Sequence, residues 1–124
     1  MTTLTMKQLA SLAAAAALSL TPLAALAHGK LENAVPALGS TVDVAPESLQ
    51  LTFNENLEPT FSSVKVSDAN GAPVTKEKAK VDTSNPRVMT VAVPKLMSGT
   101  YTVQWAVMTA DAHKTKGTYT FKVK

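Results

Sequence analysis

The sequence predicts an all-β domain, an antiparallel sandwich or Greek-key barrel, on three observations. Apolar and polar residues alternate in five separate runs. Turn-forming residues punctuate the gaps between those runs. Beyond the N-terminal segment, no window of about eleven residues carries the 3.6-residue stripe of an amphipathic helix. Period-two alternation places one set of side chains on one sheet face, the signature of a strand buried on one side.

The first segment, Met1–Ala27, reads as a secretory signal peptide. Lys7 is its only charge, an apolar run extends from Leu9 to Leu26, and Ala25-Leu26-Ala27 gives the small-x-small pattern at which such peptides are cut. Its alanine-rich stretch is therefore excluded from the fold, and the domain spans residues 28–124. In that domain Leu49, Leu51 and Phe53 alternate with Gln50 and Thr52, and Val64 and Val66 flank Lys65. Met89, Val91 and Val93 form a third run, with Met89 expected in the core. Tyr101, Val103, Trp105 and Val107 form the longest, and Tyr119, Phe121 and Val123 close the chain. Trp105 faces with Tyr101 and Val103 and is expected to join the two sheets. Pro36 to Ser40, Asp68 to Pro73, Thr83 to Pro86 and Met97 to Gly99 supply the breaks, with Asn70-Gly71 the strongest turn signal. Pro46 precedes a strand, where a missing N–H costs least.

Composition narrows the function. Removal of 27 residues from 124 leaves 97, enough for one small domain. The chain has no cysteine, which excludes disulfides and every thiolate metal site. Loss of Lys7 leaves eleven basic against nine acidic residues. The run Lys76, Lys78, Lys80 is interrupted by Glu77 and reads as a solvated loop. A nucleic-acid surface would need a denser basic stripe with stacking aromatics. No second hydrophobic stretch is long enough to span a bilayer.

The two histidines carry the chemistry. Cleavage after Ala27 makes His28 the N-terminal residue, which offers a free α-amine and imidazole Nδ1 for one chelate ring. His113 stands in Asp111-Ala112-His113, in the loop before the last strand. Copper(II) favours tetragonal sets of nitrogen and oxygen donors. The amine, His28, Asp111 and His113 would fill one plane, provided the fold brings the N-terminus to that loop.

The motifs, in order, resemble those of the CopC family of periplasmic copper-binding proteins, over essentially all of residues 28–124. His28-Gly29-Lys30-Leu31 resembles an H-x-K-L start, and Pro36 with Gly39-Ser40 a P-x-x-G-S turn. Pro46, Leu49, Leu51, Phe53, Glu55, Asn56 and Leu57 fall on P-x-x-L-x-L-x-F-x-E-N-L. Gly99 to Trp105 resembles G-T-Y-x-V-x-W, and Asp111, His113 and Gly117 fall on D-x-H-x-x-x-G. Phe121 and Val123 match the closing F-x-V.

The resemblance implies a seven-stranded Greek-key β-barrel of cupredoxin-like or immunoglobulin-like shape. It implies one copper(II) ion per chain held by His28, Asp111 and His113, with Glu55 close by and orienting His28 or a bound water. It also implies a periplasmic, non-enzymatic protein of copper resistance or homeostasis. An inner-membrane copper transporter or a multicopper oxidase is its expected partner, and the protein is expected to be monomeric. Residues 66–74 lack the methionines and histidine with which some members hold copper(I), so only the copper(II) site is expected. Ala112 and Lys114 stand where glycine and proline are common.

Two other classes share parts of this pattern. A small enzyme like the copper polysaccharide monooxygenases would use the same terminal histidine brace, but six aromatics in all leave little for a flat sugar-binding face. A metal-free envelope module that binds by strand addition would need an exposed sheet edge and would bind no copper.

Overall fold

The computed structural model describes residues 29–124. The segment Met1–Ala27, expected to be a signal peptide, and His28 lie outside the described residues. Eight strands build two four-stranded sheets. The first sheet contains β1 (Leu31–Val35), β3 (Ser48–Phe53), β6 (Val88–Ala92) and β5 (Lys80–Val81), in that spatial order. The second contains β2 (Thr41–Val42), β8 (Lys114–Val123), β7 (Gly99–Met108) and β4 (Ser63–Ser67). The chain passes repeatedly from one sheet to the other, as Greek-key connections require. All pairings are antiparallel except β2 on β8, which is parallel. Among the described residues no helix is long and apolar enough to cross a membrane.

The five alternating runs become β3, β4, β6, β7 and β8, and their apolar sets turn inward as expected. Leu49, Leu51, Phe53, Val66, Met89, Val91 and Val103 are fully buried. Trp105 bridges the sheets: its indole meets Phe53 edge-on at 5.1 Å between ring centroids and 72° between planes. The same ring lies over Gly117, its cross-strand partner. A Cβ there would stand 2.5 Å from Trp105 Cζ2, so no larger residue fits beneath it.

Eight strands rather than seven is a correction. The surplus lies in β2 and β5, which are two residues each. Such strands have too few inward positions to show alternation, and pairing with β8 and β6 defines them. Strand β1 also escapes a periodic reading, because its register with β3 shifts between Leu31 and Asn33.

Candidate metal centre

The turn that carries Asp111 and His113 is set by its hydrogen bonds. Thr109 N–H donates to the His113 carbonyl at 2.9 Å, and Ala112 N–H donates to the Thr109 carbonyl at 2.9 Å. Ala112 has φ +70°, in the left-handed region. This is the three-residue hairpin loop in which a type I turn is followed by one left-handed residue. Glycine adopts this conformation without penalty, and alanine is tolerated there at some strain.

That geometry brings the two predicted ligands together. His113 Nδ1 lies 3.1 Å from Asp111 Oδ1, and both side chains are about half exposed, at 56% and 48%. The same carboxylate oxygen accepts the Thr109 hydroxyl. Asp111 is consequently held at about 2 rather than 3.8, chiefly by that hydroxyl and then by the His113 ring. It stays a charged oxygen donor through the whole mildly acidic range.

The two remaining predicted residues are approached through their neighbours. Gly29, which follows His28, is buried against β8, and its carbonyl accepts the Thr115 hydroxyl at 2.8 Å. Lys30 N–H donates to Asn54 Oδ1 at 2.8 Å, and Asn54 N–H returns a bond to the Lys30 carbonyl at 3.0 Å. The N-terminal segment is thus clasped on one side two residues beyond His113, and on the other one residue before Glu55. The segment after β3 is tied in turn to the turn itself, since Ala110 N–H donates to the Asn56 carbonyl at 2.9 Å. Leu57 and Thr109 form a bridge beside that bond. Glu55, half-buried, sits between these two ties. Among the described residues no three His, Asp or Glu side chains gather as a metal-binding cluster. Asp111 and His113 form a pair, so a metal ion held here would need a further donor.

Thr109, Thr115 and Asn54 are the residues that sequence reasoning passed over. Thr115 and Asn54 act on partners 86 and 24 residues away, so no local pattern marks them. Thr109 reads as an ordinary β-forming residue at a strand end. A signal was available only in its position two residues before the aspartate.

The architecture defines the class first: a small two-sheet β-sandwich whose N-terminal segment is pinned beside a carboxylate–imidazole turn. Residues 31–124 match the family model described as the CopC domain, and the chain belongs to the CopC family. It is 37% identical to Protein YobA of Escherichia coli K12 over 99 residues, 79% of this chain and 80% of that one. It is 36% identical to Copper resistance protein C of Escherichia coli over 108 residues, 81% of this chain and 84% of that one. The crystal structure of CopC from Methylosinus trichosporium OB3b superposes with a TM-score of 0.75 at 34% identity, covering 78% of this chain and 94% of that one.

Proposed function

We propose that residues 28–124 form a periplasmic protein that binds one copper(II) ion and sequesters or delivers it. The ligands are the α-amine and Nδ1 of His28, a carboxylate oxygen of Asp111 and a ring nitrogen of His113. Glu55 orients His28 or a bound water from the segment between the two clasps. The relatives named Copper resistance protein C point to copper as the metal. The role is carriage rather than catalysis, by a monomer that hands the ion to an inner-membrane transporter or a multicopper oxidase.

One observation carries the reading. Asp111 Oδ1 and His113 Nδ1 are 3.1 Å apart at the turn beside which Gly29 is anchored. Two donors about 2.0–2.1 Å from one ion and at right angles stand about 2.9 Å from each other. The pair therefore already has the spacing of neighbouring ligands in a tetragonal plane, and the ion would replace the proton they share. The donor set also fits the oxidation state. Thioethers would be needed for copper(I), yet Met89 is sealed in the core and Met97 is exposed ahead of β7, at the end of that strand away from the turn, which leaves half-buried Met108, the last residue of β7, as a single thioether near the turn rather than a methionine-rich set.

Titration of the mature chain with copper(II), followed by EPR, tests this reading. The expected result is one tight equivalent with a tetragonal nitrogen–oxygen spectrum, weakened in both His28→Ala and Asp111→Ala. Binding should also be lost in the range where imidazole nitrogens take up protons, well above the point where Asp111 does. Binding indifferent to His28 would overturn the ligand assignment, and no tight binding would leave a CopC fold without a copper site.

A further inference from the structure

We propose that Thr109 is the positioning residue of this site: its buried hydroxyl fixes the orientation of the Asp111 carboxylate before any ion arrives. The inference rests on the copper-binding reading above and assigns a role to a residue outside the ligand set. Thr109 is the only fully buried polar side chain among the described residues, at 0% exposure. Its backbone does not need the hydroxyl, because its N–H and carbonyl are both used within the turn. The hydroxyl has one proton and two acceptors in reach, the Asp111 carboxylate and the His113 carbonyl at 3.3 Å. The carboxylate is the stronger acceptor because it is charged. The His113 carbonyl already receives Thr109 N–H at 2.9 Å.

Burial then makes the contact effective. No water competes for a hydroxyl at zero exposure, so its proton is left to the acceptors within its reach. Threonine is branched at Cβ and stiff at χ1, so the donor points one way. Asp111 is about half exposed, and loss of this tether would remove the contact that holds its side chain from the buried side. Ordering it on binding would then cost rotamer entropy. With the tether, the carboxylate meets the ion already beside His113. Partners of this kind, which orient a ligand without touching the metal, typically change affinity by about 10- to 100-fold.

The experiment compares Thr109→Val, Thr109→Ser and Thr109→Ala with the native mature chain. In the metal-free proteins, NMR couplings report whether Asp111 keeps one χ1 rotamer. Competition titration and EPR then report copper(II) affinity and geometry. The native chain and the Ser variant should hold one rotamer and bind alike. The Val and Ala variants should average between rotamers and bind about 10- to 100-fold more weakly, with an altered spectrum. If the Val variant fails to fold, the Ser and Ala variants differ by the hydroxyl alone and make the same comparison. Equal rotamer populations and equal affinity in all variants would overturn the proposal. If the native chain itself takes up no copper(II), the copper reading fails, while the metal-free couplings still decide whether Thr109 positions Asp111.

Discussion

Asp68-Ala69-Asn70 and Asp111-Ala112-His113 are nearly the same tripeptide, and they fold into turns with opposite uses for the carboxylate. Asp68 spends its side chain on its own backbone. Its Oδ1 accepts the N–H groups of Asn70 at 2.9 Å and Ala72 at 3.0 Å, while its N–H donates to the Ala72 carbonyl. Asp82 also closes its own turn, accepting Ser84 N–H at 2.9 Å and, from the same residue, the Ser84 hydroxyl at 2.7 Å. Asp111 is gripped chiefly by side chains, the Thr109 hydroxyl from the buried side and the His113 ring from the open side. An aspartate that closes its own turn is structural. One held by a buried hydroxyl beside an imidazole is presented to solvent as a charged donor. The type of group that satisfies the carboxylate, more than the tripeptide, separates the two.

The largest expected difference is in copper affinity. Asp111→Ala should lower it by more than about 100-fold, beyond what loss of an outer partner causes. Asp68→Ala should leave it unchanged, both read by competition titration. The effect on folding should reverse. Asp68→Ala opens the turn between β4 and β5, and should lower the thermal midpoint by roughly 4–8 °C, the shift that one net hydrogen bond makes in a domain of this size. Comparable copper losses in both variants would mean that copper binding follows overall stability, and would erase the distinction.

The smallest effect concerns Ala112. Its φ of +70° is a conformation that glycine adopts without penalty. Ala112→Gly should stabilise the fold by a few tenths to about 1 kcal/mol, seen as a modest rise in thermal midpoint. Copper affinity should stay close to native, because Thr109 rather than the turn backbone holds Asp111. A large loss of affinity in this variant would transfer the positioning role from the hydroxyl to the turn.

What the sequence could show depended on how locally each feature is encoded. Strands β3, β4, β6, β7 and β8 were legible because burial on one face forces alternation, as in Leu49, Leu51 and Phe53. Strands β2 and β5 were not, since two residues have no period. In β1 only Ala34 is buried and a bulge breaks the register. Asp111 and His113 were legible because carboxylate and imidazole two residues apart form a recognisable donor pair. Their convergence to 3.1 Å needed the hairpin geometry around Ala112. The clasps of Thr115 on Gly29 and Asn54 on Lys30 could not be read, because they join distant segments through common polar residues. They are nonetheless what holds Gly29 and Lys30 beside the strand that follows the turn and the segment after β3.

The central claim is that the N-terminal residue left by cleavage completes the site that Asp111 and His113 begin. It is tested most directly by comparing residues 28–124 with a free α-amine against the same chain acetylated at His28. Acetylation turns one nitrogen donor into an uncharged amide and leaves every side chain as it is. The account predicts tight binding of one copper(II) ion by the free amine, and a loss of at least about 100-fold on acetylation, larger than an outer partner causes. Equal affinity in the two forms would contradict it and leave the carboxylate–imidazole turn to bind without the N-terminus.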